Sequence, residues 1–447
     1  MKPESPASIK LPTPKRITIA DLVDQAQRAV RMVSEVRGMA VAPDSRKQPP
    51  ILSGANVAEL CSIDKSHLNY RITKADLPAG QVRANGVRRE FSLAEARTWA
   101  AAFKVAPERP AGTKAITVAI ANFKGGSTKT TTALTLAQGL SLRGHRVLLI
   151  DLDPQGSVTT LCGVLPDTEV DDDKTIGPLC YGEEVSVQYA IRSTYWDGLD
   201  LIPASPNLFS AEFALPARQI KERGFRFWDV LNAGLESVRT DYDVIVIDTP
   251  PALSYLTINA LMAADGMVVP MPPNALDFAS SAQFWNLFSD LAASIEQSRG
   301  VHKEFDFIHV LLSKVDKTDG AMPFVRSLIT ATYAEKVLPV EIPKTNVTTT
   351  SAAEFRTVYD LSKYEGNYKT YERAREAYDR FVELVDESIA QAWARQTPHA
   401  EPAAAGERTA SAASEQAAST AQAKPKAPRR AARAASAVAR ATGAQPR

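Results

Sequence analysis

The stretch "VAIANFKGGSTKTTTALTLAQGL", residues Val118 to Leu140, decides how the rest of the chain is read. An apolar run gives way to two glycines, two lysines and a row of hydroxyls, then to a helix-like repeat of Ala and Leu. Gly125 and Gly126 let backbone N–H groups turn inward around phosphate oxygens, and a helix starting near Lys129 adds the positive end of its dipole. Lys129 is then placed to reach β- and γ-phosphates, and the Thr130 hydroxyl to hold Mg2+. The loop misses the usual G-x-x-x-x-G-K-[ST] pattern twice, with Phe123 in place of the first glycine and Thr128 in place of the last. Both changes leave the phosphate-binding physics intact.

Outward from the loop, "AITVAIAN", "HRVLLIDLD", "YDVIVIDTPP", "DGMVVPMPP" and "FDFIHVLLSKVD" are short apolar runs separated by longer helical stretches. Runs without period-2 alternation mark parallel strands covered on both faces, which predicts an α/β fold with a doubly wound, mostly parallel sheet. A helix-rich segment from Ser351 to about Trp393 closes it.

The second lysine carries a family resemblance. "KGGSTKT" resembles the deviant Walker A motif K-G-G-x-x-K-T of the ParA/MinD ATPases, P-loop NTPases in which two monomers sandwich two ATP molecules. That resemblance implies that Lys124 crosses to the partner's nucleotide, and that Lys124, Gly125, Gly126, Ser127, Thr128, Lys129, Thr130 and Thr131 surround ATP and Mg2+. "VLLIDLDPQGSVTTL" matches the family's D-x-D-P-Q-G segment, implying that Asp153 positions or activates the attacking water, with Asp151 near the metal. "YDVIVIDTPPAL" matches its Walker B and second switch, implying Asp248 as a Mg2+ partner. "GLDLIPAS" and "VVPMPP" are further landmarks, the latter implying Pro272 at the nucleotide. Lys124, Lys129 and Asp153 are thus the catalytic candidates of a weak Mg-dependent ATPase, and Thr130, Asp151 and Asp248 the metal candidates. An Asp near its ordinary pKa of ~4 is a poor base, so positioning of water is the expectation for Asp153.

The first 110 residues divide differently. "ITIADLVDQAQRAVRMVSEV" reads as a helix capped by Thr18, with Ile19, Val23, Ala26, Val30 and Val33 at alternating spacings of four and three. Residues 1–45 are read as a dimerisation helix; a helix packed on its own domain is the alternative. Residues 46–110 give two short helices, Ala55–Leu60 and Lys65–Lys74, a two-stranded wing turning at Asn85-Gly86, and a helix capped by a Ser92/Glu95 box. This order resembles the MerR-like winged helix-turn-helix. The resemblance implies that Lys65, Ser66, Asn69 and Arg71 face the DNA groove and that Arg83, Arg88 and Arg89 lie on the wing. A helical module for protein contacts is the alternative.

Charge is polarised behind a net value of +1: residues 1–110 carry +7 and residues 397–447 carry +5, leaving −11 for the middle. Basic ends point to a polyanion partner. Residues 111–396 form the expected ATPase domain, and 397–447 an Ala/Arg/Pro-rich tail too poor in apolar residues to fold. Cys61, Cys162 and Cys180 have neither zinc nor disulfide spacing. No run is long enough to cross a bilayer, so no membrane partner and a cytoplasmic, nucleoid-associated location are expected.

Within the family, the long N-terminal region and Thr128 point to the plasmid-type ParA proteins. The expected function is DNA partition of a plasmid or secondary chromosome. An ATP-bound homodimer would bind non-specific DNA, a ParB-like centromere-binding protein would stimulate hydrolysis, and the N-terminal domain would bind operator DNA to autorepress the operon. A nucleotide-responsive transcriptional repressor without a transport role is the alternative.

Overall fold

The computed structural model describes residues 16–40, 47–82, 88–300, 302–345, 356–361 and 368–397. The Asn85-Gly86 turn, Arg83 and the tail after 397 lie outside the described residues.

The chain opens with α1 (Ile19–Ala40), started by a reciprocal cap in which Thr18 Oγ1 accepts from the Asp21 N–H while the Asp21 carboxylate accepts from the Thr18 N–H. Ile19, Leu22, Val23 and Val30 are all exposed on it, so these four side chains are not packed against the rest of the chain. Next come β1 (Leu52–Ser53), α2 (Gly54–Leu60), α3 (Lys65–Thr73), β2 (Gln81–Val82), β3 (Arg89–Phe91) and α4 (Leu93–Ala102). The three strands form an antiparallel sheet in the order β1-β3-β2. The predicted Ser92/Glu95 box is present, with the Glu95 N–H donating to Ser92 Oγ at 3.2 Å and the Ser92 N–H to Glu95 Oε2 at 2.8 Å. Strand β1 was not anticipated; two residues carry no periodicity.

A sheet of eight strands makes up most of the remainder: β4 (Ile116–Ile120), β5 (Val147–Asp151), β6 (Arg192–Ser193), β7 (Leu199–Ile202), β8 (Val244–Asp248), β9 (Gly266–Met271), β10 (Phe307–Val315) and β11 (Val337–Pro343). Their order is β11-β10-β9-β4-β8-β5-β7-β6, and every neighbouring pair is parallel except the antiparallel edge β6–β7. From the central β4 the chain steps to one side for β5 and later to the other for β9 and β10. The crevice at the carboxyl end of β4 is therefore the topological switch point where such sheets bind ligands.

Both faces are covered, which is why the strands read as continuous apolar runs. Val147, Leu149, Val244 and Val246 pack with α5 (Lys129–Leu142) and the long closing helix. Leu148, Ile150, Ile245 and Ile247 face the other layer, which contains α7 (Gly177–Tyr181), α8 (Ala211–Lys221), α9 (Val230–Leu235) and α10 (Tyr255–Ala263). A third cluster joins β9 and β10 to α11 (Ala275–Arg299) and α12 (Met322–Tyr333). The short helix after β5, Ser157–Leu161, is α6, and the closing helix Tyr368–Gln396 is α13. Gly139 lets α5 and α13 touch, since a Cβ there would lie 2.5 Å from a Val382 methyl carbon.

Helix α4 shares the core of the large sheet: Phe91, Leu93 and Trp99 join the same buried cluster as Leu134 and Phe381. Arg97 reinforces the contact, donating from Nε to Ser141 O at 2.8 Å and from a terminal nitrogen to His145 O at 3.0 Å. A sequence pattern at "VAPERPAGTK" marks a linker, but the packing continues across it.

Candidate nucleotide site

The site is built from the loops that leave the carboxyl ends of β4, β5, β8, β9 and β10. Register does most of the placing. Asp248, the last residue of β8, is paired with Ile120 of β4 on one side and with Asp151 of β5 on the other.

The two departures of the loop from the usual pattern have physical explanations here. Phe123 stacks edge-on against Phe284 of α11 with ring centroids 4.2 Å apart, so an apolar anchor replaces a turn glycine. Thr128 takes up the left-handed conformation that the missing glycine would supply, at φ 73°. For a β-branched residue this is strained by roughly 1–3 kcal/mol. Gly126 is also left-handed, at φ 76°, and a Cβ at Gly125 or Gly126 would meet nothing within 4 Å, so the loop borders open space. Asn122 braces it, its amide donating to Pro270 O and its carbonyl oxygen accepting from the Lys124 N–H.

Lys129 and Lys124 part company. Lys129, the first residue of α5, is 6% exposed, and its ammonium donates to Lys124 O at 3.2 Å. Burial lowers its pKa, opposed by Asp248 and Asp153. Lys124 points to the rim, where its ammonium lies 3.1 Å from the Asp277 carboxylate near the start of α11. Thr130 Oγ1 donates to Asp248 Oδ2 at 2.9 Å. Thr131 lies one residue further on in α5, and Pro272 is buried immediately after β9.

The carboxylates are under strain. Asp248 is fully buried, and its Oδ1 accepts no hydrogen bond. Burial, with the Asp151 charge added to it, pushes its pKa well above the carboxylate range. Asp151 is pushed up to about 7 by burial despite the opposing donors of Thr159. Its Oδ2 accepts from the Thr159 N–H at 2.9 Å and hydroxyl at 2.7 Å, and its Oδ1 from the Asp153 N–H at 3.1 Å. Asp151 thereby fixes the turn that presents Asp153. The expectation of an ordinary pKa for Asp153 is corrected: burial raises it, against the Gln155 N–H and Lys129.

A hard cation with phosphate oxygens fits this chemistry. The free oxygen of Asp248, the Thr130 hydroxyl and the unpartnered buried hydroxyl of Ser127 are oxygen donors beside an open glycine loop.

A family model described as an AAA domain matches residues 115–299. A putative replication protein A of Rhizobium rhizogenes is 32% identical over 368 residues, covering 79% of this chain and 90% of the relative. The chromosome partitioning protein ParA of Caulobacter vibrioides is 34% identical over 271 residues, covering 59% of this chain and 94% of the relative. The chain belongs to the ParA family of partition ATPases. A solved structure titled as a partition protein shares the fold of this ParA-family chain, with a TM-score of 0.58 over 83% of this chain and 98% of that one at 20% identity.

The residues implied for DNA contact are dispersed. Lys65, Ser66 and Asn69 lie exposed on α3, and Arg88 is exposed beside β3. Arg71 turns back into the module, bonding Asp76 at 2.8 Å with its guanidinium 5.2 Å from the centre of the Phe103 ring. Arg89 donates to Ala79 O at 2.9 Å. These two arginines brace the module instead of extending from it. Sequence reasoning missed Asp277 and Lys314, whose contacts with the loop bridge distant parts of the chain. No described helix is long and apolar enough to cross a membrane.

Proposed function

We propose that this ParA-family chain is a DNA-partition ATPase. Two copies close on each other when ATP occupies the 123–131 loop, the closed dimer holds DNA without sequence preference, and a ParB-like centromere-binding partner speeds hydrolysis. The observation that carries the reading is the pair of lysines on one loop, Lys129 buried among carboxylates and Lys124 on the rim against Asp277. A lysine already seated on its own phosphate site would not be free to serve a neighbour's.

In this reading Lys129, the glycine-loop N–H groups and Thr130 bind the phosphates of ATP, with Pro272 bordering the nucleotide. Mg2+, held by Thr130 and Asp248 with Asp151 behind them, would offset charge on the β- and γ-phosphoryl oxygens. Asp153, presented by Asp151, orients the attacking water and, with its raised pKa, can accept a proton from it. Lys124 leaves Asp277 for the partner's γ-phosphate, adding positive charge where the transition state gathers negative charge. Loss of the γ-phosphate removes that counter-charge, and Lys124 returns to Asp277, so each turnover opens the dimer.

The N-terminal part supplies a second DNA contact. Lys65, Ser66 and Asn69 are exposed together on α3, in keeping with operator binding and autorepression, and the exposed Ile19, Leu22, Val23 and Val30 of α1 are available for a second copy. In this reading the protein works in the cytoplasm on the nucleoid. The test measures ATP hydrolysis and DNA binding with ATP and with ADP, with and without a ParB-like protein. The reading expects ATP-dependent binding to unrelated DNA and a partner-stimulated rate. If ATP alters neither dimerisation nor DNA affinity, and Asp153→Ala leaves segregation intact, a repressor without a transport role is left.

A further inference from the structure

Six non-glycine residues among those described have positive φ. Ser62, Ala75 and Lys104 lie just past helix ends, where a left-handed residue closes the turn, Ala334 ends α12 at a reversal of the chain, and Thr128 closes the phosphate loop. Lys314 is different. It lies inside β10 with φ 52°, between the buried residues Ser313 and Val315, and the pairing of β10 with β11 slips between Leu312 and Val315. A strand residue in this conformation is strained by roughly 1–3 kcal/mol, and such strain persists only where surrounding contacts enforce it.

The contact at the end of its side chain gives the strain a use. Lys314 Nζ donates to Gly126 O at 2.7 Å, and the adjacent Ser313 hydroxyl lies 3.4 Å from Ser127 O. A peptide unit is planar and trans, so its N–H points opposite to its C=O. Holding the Gly126 carbonyl toward β10 turns the Ser127 N–H to the opposite side, and holding the Ser127 carbonyl does the same for the Thr128 N–H. These are donors of the glycine-rich loop that a phosphate would use.

We propose that Lys314 is a positioning residue for the nucleotide phosphates: the twist in β10 aims its ammonium at the back of the loop and fixes the N–H groups of Ser127 and Thr128 in their phosphate-binding orientation. The inference rests on the reading of this loop as the ATP site. It predicts a role distinct from that of Lys124. Lys314 acts on the part of the loop that ATP and ADP share, so its loss weakens both nucleotides alike, whereas Lys124 acts only on the ATP-bound dimer.

The test uses the full chain with Lys314→Met, Lys314→Arg and Lys314→Gly. Fluorescent ADP and ATP analogues report affinity, saturating ATP reports kcat, and thermal unfolding without nucleotide reports stability. Lys314→Met is expected to weaken both nucleotides roughly tenfold, the scale of one charge-assisted hydrogen bond, with kcat at saturation little changed. Arginine restores most of the affinity. Lys314→Gly is the discriminating variant, because glycine relieves the backbone strain while removing the ammonium. It should lose affinity yet unfold at or above the wild-type temperature. Wild-type affinity in the Met and Gly variants overturns the proposal, as does a Gly variant that loses affinity and stability together. A wild-type protein that binds neither ADP nor ATP overturns the site reading itself and this inference with it.

Discussion

Two buried carboxylates stand at opposite ends of the parallel strands under opposite conditions. Asp386 of α13 is 1% exposed, and it receives Arg143 Nε at 2.8 Å and His145 Nε2 at 2.7 Å near the start of β5. Asp248, at the end of β8, is equally buried, but one of its oxygens has no partner and Asp151 faces it across the ladder. A matched buried charge fastens elements together, here α13 to the α5–β5 corner. A carboxylate with an unpartnered oxygen is driven by burial toward its protonated form, costs stability in the free protein and is held ready for a cation that restores its charge.

The sharpest way to break the comparison is to neutralise each carboxylate in turn. Asp248→Asn should cut ATP hydrolysis by roughly a hundredfold or more while raising the thermal midpoint of the nucleotide-free protein near neutral pH. Asp386→Ala should do the reverse, costing about 3 kcal/mol or more in chemical denaturation while leaving the hydrolysis rate per folded molecule near wild type. If both variants lose stability, the contrast between a fully partnered and an under-partnered carboxylate is wrong.

A smaller effect concerns pH. Burial holds the Asp151 pKa at about 7 against its ordinary 3.8, so the folded state keeps a proton that the unfolded chain releases. Its contribution to stability is therefore full below 3.8 and is lost as pH rises toward about 7. Denaturation midpoints of nucleotide-free wild type and Asp151→Asn, taken at about pH 5 and about pH 8, check this: the wild type should lose more over the interval than the variant does. An identical loss would show that burial of Asp151 carries no such linkage.

The smallest effect belongs to the loop backbone. Thr128→Gly should stabilise the nucleotide-free protein by about 1 kcal/mol, because glycine adopts the required φ without strain, and should leave nucleotide binding intact. Weaker ATP binding in this variant would mean that the threonine side chain contributes to the site beyond its backbone conformation.

How far the sequence could be read follows from the range of each interaction. The apolar runs, the loop between β4 and α5, and the caps at Thr18 and Ser92 are local patterns, and each was legible. The parallel sheet followed from strands apolar on both faces. Strands β1 and β6 have two residues each, too few to show a period, and β11 alternates in burial on an edge. At the site, residue types at motif positions marked Lys129, Asp153 and Asp248. Nothing local marked Asp277 or Lys314, which reach the loop only because the strand order sets β9 beside β4 and β10 beside β9. Arg71 misled for the same reason in reverse: a basic side chain on a candidate recognition helix looks available until its neighbour Asp76 and the Phe103 ring fold into place.

The central claim is that one loop carries two lysines serving two different nucleotides. It is tested most directly by mixing Lys124→Ala and Lys129→Ala subunits, each inactive alone, and measuring ATP hydrolysis by the mixture. In a mixed dimer the first subunit binds ATP through its own Lys129 and receives Lys124 from the second. The account predicts that mixing restores hydrolysis well above the sum of the separate variants. A mixture no more active than that sum would place Lys124 on its own subunit's nucleotide and contradict the account.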